Sequence, residues 1–596
     1  MNDRRLNTLF TLLQAYVILF CVCSGESLII GAESEDHLLN FVSKLSYSAS
    51  VFNLIDCLAY GAVVALICFV KKRVPQVDWY GVVVGLLLGS SYILSFAFRD
   101  YGSIRVMTAN VYQCFLTVVL LWGYTSLIYL CFELIRCSLE RVLIRNTPEK
   151  TWNRRAFVIT SCTVFIGWIL WPILNYPGSV AGDAITQLNM FFLYPMTAHH
   201  PPLSSWIMGA CVQLGGFLIN RDFGIFLYLF LQSVIAALII GYSVSCMASW
   251  GCSIRLCTAS VFFLAFTPIL SLFTQYFEKD MLYTLFMLLF SCIVAQVIIS
   301  GQLNLRTAIF LFFVSLLACL LRHNGIYAIL PVFFAFILYL KEKDRIRSSV
   351  LFTLTPVIYL TITSGIYPAL GIEKGLVREA LSIPMQQSAR YLRDHGDEVT
   401  EEEREVLADF FINYDEAPLR YDPISSDPVK DNVTADFNEP LRYFGTWFLM
   451  GLKHPIVYID AFGCLNYGYL APAGQNTEPD LMTREEVLVQ LHEIGVNGTQ
   501  DTTRSAILES IVRINTMYPL LRYLTMPGTY VWFTVIVFAL IFRRKRWKEL
   551  ILIIPSLMNI LVCLASPLSN ALRYELPIVL SVPLMIAWTQ YAYRKE

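Results

Sequence analysis

An all-α polytopic membrane protein with about fourteen crossing helices is the fold class this sequence predicts. Three observations predict it. The 596-residue chain is 56% hydrophobic and only 15% charged, with a mean hydropathy of +0.58, whereas soluble domains carry about a quarter charged residues. The apolar residues fall into runs of roughly 17–25, the length that crosses a bilayer core. Alternate breaks between the runs carry Lys and Arg clusters, the pattern of loops kept on the cytoplasmic side.

Composition also excludes several classes. A net charge of −1 gives no reason to expect nucleic acid as a partner. The 16 Cys lie mostly inside apolar runs and include no Cys-x-x-Cys pair, so they read as small core residues. No Gly-x-Gly-x-x-Gly or Walker loop suggests a soluble nucleotide donor. There is no internal repeat.

Taken in order, the first four helices are expected near 8–24, 48–70, 79–97 and 106–134. The start, MNDRR and an apolar run, lacks an Ala-x-Ala-like cleavage site and reads as an uncleaved first helix. Lys71, Lys72 and Arg73, and the basic stretch Arg136 to Arg155, mark the cytoplasmic side. The acidic segment Glu26 to His37 then falls outside. A fifth helix, 156–174, exits outward, so Asp183 is expected to be extracytoplasmic. Residues 201–218 carry no charge and read as a juxtamembrane helix lying in the plane; a crossing there would put later charges on the wrong side.

Helices near 224–246, 257–275, 281–300, 306–320, 325–341 and 348–366 follow. They leave Glu278, Lys279, Asp280 and the Arg322–His323–Asn324 turn outside, and Lys341 to Arg347 inside. The last three, near 520–542, 548–566 and 574–592, flank Arg543–Arg544–Lys545–Arg546, the strongest cytoplasmic marker. Both termini end inside. Four regions result: a four-helix membrane module over 1–150, a membrane core over 151–369, an extracytoplasmic or interfacial segment over 370–518, and three closing helices over 519–596. Within the third, helical patches at 378–394 and 441–460 are partly apolar and suit a membrane surface. The sequons at Asn432 and Asn497 matter only in a eukaryotic host.

The candidate chemistry sits at the outer loops. Asp183 follows a membrane exit almost at once, and Gln187 comes one helical turn later on the same face. His199, His200, Pro201, Pro202 and Leu203 close that loop stiffly. A carboxylate held just above lipid can reach the head group of a membrane-embedded substrate, although exposed loops also carry acids for solubility alone. Glu278, Lys279 and Asp280 form a second charged loop; they also suit a plain polar helix end. Arg322 at membrane depth is costly and suits a phosphate, or snorkels to lipid head groups. His323 accompanies it, and Arg573 and Tyr574 open the last helix in a similar place. A lone pair such as His199 and His200 is weak evidence for a metal.

The order Gly182–Asp183, some fifteen residues, then His200–Pro201–Pro202–Leu203 resembles the first external loop of the GT-C glycosyltransferases. These polytopic enzymes draw sugars from polyprenyl-phosphate carriers, and include protein O-mannosyltransferases and lipid A aminoarabinose transferases. The resemblance covers about 150 to 345, the carboxyl end loosely and the first four helices not at all. It implies a GT-C-like core in which Asp183 is the general base and Asp280, with Glu278, is the acidic residue of the second external loop. His199, His200, Lys279, Arg322, His323, Arg573, Tyr574 and Gln187 would bind substrate or lipid phosphate. Here a single Asp replaces the usual acidic pair, which weakens a metal assignment and agrees with relatives that use monophosphate donors without metal; a cofactor, if any, is a divalent cation, Mg²⁺ or Mn²⁺, held by Asp183 and Asp280.

The expected function is therefore transfer of a sugar from a polyprenyl-phosphate donor to a cell-envelope glycan, lipid or protein, outside the membrane. A lipid-linked sugar flippase is the rival from another class; it should show inverted repeats and helices broken at mid-membrane. A polysaccharide polymerase or ligase of another superfamily, using Arg and His in a large outer loop, is a third reading.

Overall fold

The computed structural model describes residues 3–24, 54–145, 154–435, 439–473, 485–498 and 517–594, with a few single positions between. The acidic Glu26 to His37 segment and residues 48–53 lie outside the described residues.

The first part of the chain folds into α1 (Asp3–Ser24), α2 (Leu54–Arg73), α3 (Trp79–Tyr101), α4 (Val111–Arg145) and α5 (Arg154–Leu174). The middle holds β1 (Ser179–Val180), α6 (Gly182–Phe192), α7 (Pro202–Leu218), α8 (Arg221–Ser249), α9 (Ile254–Phe266), α10 (Pro268–Thr274) and β2 (Tyr276–Phe277). Then come α11 (Asp280–Ser300), α12 (Leu305–Leu321), α13 (Gly325–Tyr339) and α14 (Glu342–Thr361). The polar segment contributes α15 (Ser382–His395), α16 (Glu401–Phe410), α17 (Pro440–Lys453), α18 (Pro455–Leu470) and α19 (Glu485–Glu493). The chain closes with α20 (Pro527–Arg543), α21 (Ile554–Leu564) and α22 (Leu572–Arg594).

A helix stands at each of the fourteen expected places, but their lengths differ. Among the described residues, eight helices are long and apolar enough to cross a membrane, or up to ten if each bent pair makes one span. Short and bent helices have local causes. The Arg322–Asn324 turn cuts one apolar stretch into α12 and α13, of 17 and 15 residues. Pro527 restarts the chain at α20, so that helix begins later than expected. The patch expected over 441–460 is two helices, α17 and α18, meeting at 105°, because Pro455 disfavours helical backbone at His454.

The helix ends follow ordinary capping chemistry. Asp78 accepts from the Tyr80 amide at the start of α3, and Gly102, at φ +67°, closes it. Thr400 and Glu403 form a reciprocal box on α16. Close helix contacts use small residues, as in other membrane bundles. A Cβ on Gly167 of α5 would stand 2.5 Å from the Ala265 carbonyl of α9, and one on Gly215 of α7 would stand 2.2 Å from Gly224 of α8.

The large core runs through α5–α13 and α20–α22. Its middle is α11, packed beside α22; 78% of the apolar window of each is buried. A helix apolar on all sides belongs in such a position. Residues 381–461 build a second, smaller core around Met385, Tyr391, Leu407, Phe410 and Tyr443. The α3–α4 turn grips this segment. Asp460 accepts from Ser103 Oγ at 2.6 Å and from the Ile104 amide at 2.8 Å, and Arg390 donates to the Gly102 carbonyl at 2.7 Å. All sixteen cysteines are free thiols.

Candidate functional site

A two-residue parallel ladder decides where the charged loops meet. β1 pairs with β2 in the register Ser179 to Tyr276 and Val180 to Phe277. Asn175 Nδ2 donates to Gln275 Oε1 at 2.7 Å, and the Ser179 backbone amide to the Gln275 carbonyl at 3.0 Å. Gly178, at φ +119°, admits no side chain: a Cβ would meet Leu229 at 2.4 Å and the Gln275 carbonyl at 2.9 Å. The strands deliver Asp183, near the start of α6, and Glu278–Lys279–Asp280, leading into α11, to one place.

There the charges interlock. Lys279 Nζ lies 3.3 Å from Asp183 Oδ2, and Arg573 Nη1 lies 3.4 Å from the same oxygen. Arg573 Nη1 is also 2.9 Å from Glu278 Oε1. Arg322 Nη1 lies 2.8 Å from Asp280 Oδ1. The Tyr574 ring sits between the two guanidiniums, 4.9 Å from each, and its hydroxyl accepts from Arg573 at 3.0 Å. Tyr228 of α8 donates to the Glu278 carbonyl at 2.7 Å. Four stretches far apart in sequence thus supply three carboxylates and three cations.

Exposure separates their roles. The Asp183 side chain is 36% exposed and Arg573 22%, while Glu278 and Asp280 are 4% and 3% exposed. Only Asp183 among the three acids opens to a ligand; the other two face cations inside. Burial alone would raise the Asp183 carboxyl, but Lys279 and Arg573 hold it well below its ordinary value. Burial, then the adjacent Asp280 carboxylate, pushes Glu278 up to about 8, against the pull of Arg573. Lys279 loses to burial but gains more from Asp183, Asp280 and Glu278, so its ammonium is held charged. With Glu278 protonated, the cluster carries one cation more than its anions.

The remaining candidates form the wall. His323 links its Nδ1 to the Tyr359 hydroxyl at 2.8 Å and its Nε2 to the Ala198 carbonyl at 3.2 Å, tying the Arg322 turn to the double-histidine loop. Residues 196–198 also pair with Glu373. The His199 ring packs 4.4 Å from that of His200, and its Nδ1 lies 3.6 Å from Glu379. Burial and the Lys279 charge push His200 down to about 3, leaving it neutral; burial lowers His323 as well. Gln187 is fully buried and donates to Ser204 and Ser205 at 2.7 and 2.9 Å, joining α6 to α7. Its place on the Asp183 helix is as expected, but its amide nitrogen is spent on packing.

Sequence reasoning missed Asn175, Gln275 and Tyr228, which set the loops. It also missed Tyr469, whose hydroxyl donates to the Leu568 carbonyl at 3.1 Å and accepts from the Ala571 amide at 3.2 Å, fixing the turn before Arg573. The same turn is held by Ser426, whose amide donates to the Pro567 carbonyl at 2.8 Å. The one readable sign was that these polar residues interrupt apolar helix ends. Asp183 and Asp280 already oppose fixed cations, so a divalent ion placed between them would face Lys279 and Arg573.

The model of a family of unknown function, DUF6020, matches residues 194–596. That span includes Glu278 to Asp280, Arg322 and Arg573, and begins after Asp183. Curated proteins give no match and solved structures give none.

Proposed function

Because the chain belongs to the DUF6020 family, whose description carries no activity, its chemistry rests on the site, and we propose that it is a membrane glycosyltransferase of the GT-C kind. It moves a sugar from a polyprenyl-phosphate carrier to a cell-envelope glycan, lipid or protein. The observation that supports this is an accessible carboxylate, Asp183, set against Lys279 and Arg573 at the end of apolar helices.

A polyprenyl-phosphate sugar is a phosphodiester with one negative charge, which suits a cluster with one cation in excess. Its phosphate draws Arg573 and Lys279 away from Asp183, and the freed carboxylate becomes a better base. The acceptor hydroxyl gives its proton to Asp183 as its oxygen bonds to the anomeric carbon from the far face. The bond from that carbon to the phosphate oxygen breaks, and the configuration inverts. The leaving phosphate gains a second negative charge, which Arg573 and Lys279 neutralise. Arg322, paired with Asp280 and stacked on Tyr574, holds this arrangement rigid. On this reading the cations do what a metal would do, and Mg²⁺ or Mn²⁺ is dispensable.

The site would face outward, with both termini inside. The support is the basic groups at the other end: Arg544 stacks on Tyr593, near the end of the helix whose first turn carries Arg573. Fourteen crossings would arise from the eight long helices, α2, the bent α9–α10 pair, α12, α13, α20 and α21, with α7 lying in the plane.

The test is sugar transfer by purified protein in liposomes, given a panel of polyprenyl-phosphate sugars and a crude envelope acceptor. Asp183→Asn should bind donor and lose turnover by about a hundredfold or more. Near wild-type transfer by that variant would overturn the base assignment. Movement of the lipid-linked sugar between leaflets without transfer would establish a flippase instead.

A further inference from the structure

Outside the charged cluster, one group of side chains has the makings of a second site, and it owes nothing to the glycosyl-transfer reading. α15 ends at His395, and a tight turn brings Glu398 back beside it. His454 stands at the 105° corner between α17 and α18. His395 Nδ1 lies 2.8 Å from one Glu398 oxygen, and His454 Nε2 lies 2.8 Å from the other. The two imidazoles are stacked, with centroids 3.7 Å apart and planes at 16°. The Tyr391 ring backs both, at 5.9 and 5.4 Å. One donor atom from each of the three residues falls within 4.8 Å of the others.

We propose that His395, Glu398 and His454 bind a divalent transition-metal cation of the zinc class, which fastens the end of α15 to the α17–α18 corner. The donor set selects the ion: two imidazoles and a carboxylate suit zinc and its neighbours, whereas calcium and magnesium prefer all-oxygen shells. Metal bonds of about 2.0–2.2 Å require the stacked imidazoles to turn about their side-chain bonds until both ring planes contain the ion. The two histidines are 21% and 20% exposed, with room to turn, and Glu398 is 51% exposed, leaving the outer side open to waters that complete the shell. Lys453, next to His454, pairs with Glu403 at 2.6 Å.

The consequence is mechanical. α15 also carries Gln386, which donates to the Asp422 and Ser425 carbonyls, and Arg390, which reaches Asp460 and Gly102. Residues 424–426 in turn hold the loop ahead of Arg573. A metal at the end of α15 would stiffen the whole segment.

The test uses the full-length protein in detergent, stripped with a chelator and desalted. Zinc titrated by calorimetry should bind at one equivalent per chain and raise the thermal unfolding midpoint. Glu398→Gln, a conservative change at an exposed position, and His454→Gln should each weaken binding by tenfold or more and abolish the midpoint shift. His492→Gln, at a histidine elsewhere in the segment, should change neither. If zinc fails to saturate a single site, or binds Glu398→Gln and His454→Gln as tightly as wild type, the three residues are a hydrogen-bonded clip and the proposal falls. Either variant suffices alone should the other fail to fold.

Discussion

Two ionic clusters stand at opposite ends of the helical layer, linked by α22, whose 23 residues span about 35 Å at 1.5 Å per residue. They are built on different plans. At the end away from Asp183, Arg136 pairs with Glu133 at 2.6 Å and Glu140 at 2.9 Å, both on its own helix, and lies 3.9 Å from Asp78. Asp78 also pairs with Arg543 and caps α3. Its central members are closed off: the Glu133, Asp78 and Arg136 side chains are 0%, 6% and 8% exposed. At the other end, the charges come from four distant stretches, and Asp183 is left open. Three of these groups are neighbours on one helix, Asp78 and Arg543 join them from elsewhere, and with its central members closed to solvent the cluster is a clip. Charges gathered at long range, with one carboxylate facing outward, gain little stability for their desolvation, and that is the signature expected of a site.

Substitution at the two aspartates should show the sharpest contrast. Asp183→Asn should cost about a hundredfold or more in transfer with little change in unfolding. Asp78→Asn should do the reverse: Asn still caps α3, but Arg543 and Arg136 lose a carboxylate partner, for a loss of about 1.5–3 kcal/mol by denaturant unfolding, while folded protein turns over normally. An Asp78→Asn protein that folds well but transfers nothing would erase the distinction.

Arg573→Gln comes next. It removes the cation shared by Asp183 and Glu278, and transfer should fall about tenfold to a hundredfold, mostly through weaker donor binding. Arg136→Gln, its counterpart, should alter stability alone. Equal donor affinity for wild type and Arg573→Gln would move the phosphate elsewhere.

A third contrast is pH dependence. Glu278 is raised from 4.5 to about 8 in the folded protein. Between those values the unfolded chain has lost the proton that the folded one keeps, so this carboxyl's contribution to stability declines as pH rises from about 4.5 to 8 and then levels. Deprotonation also cancels the excess cation, so donor binding should weaken above pH 8. Glu278→Gln should flatten both profiles. A wild-type binding curve already flat across pH 7–9 would remove Glu278 from the account.

Much of this was legible in the sequence, and the losses have physical causes. Apolar run length and basic markers located the helices, because lipid imposes both. They did not settle the number of crossings, because run length does not show where Pro527 restarts a helix or that α12 and α13 hold only 17 and 15 residues. Asp183 and Asp280 could be assigned to one side by counting helices. The device that joins them, a ladder of two residues a side, is too short to leave a periodic signal. Gln187 was correctly placed on the Asp183 helix, but its partners, Ser204 and Ser205, sit on the next helix and no spacing points to them. His395 and Glu398 are three residues apart and readable as a pair; His454 joins them only because a proline turns the chain through 105°.

The smallest predicted effect tests whether the Asp78 cluster is as local as its geometry implies. Glu140 is its most exposed acid, 39% open, and one turn along the helix from Arg136. Arg136 keeps Glu133 when Glu140 is lost, so no charge is stranded. Glu140→Gln should therefore cost about 0.2–0.5 kcal/mol, the worth of an exposed pair on one helix, measured as a denaturant midpoint shift at constant slope. Raising salt should shrink even that difference, since exposed pairs are screened while Glu133 and Arg136, buried together, are not. A cost several times larger would mean that the clip works as one network, and that locality in sequence does not by itself separate a structural cluster from a functional one.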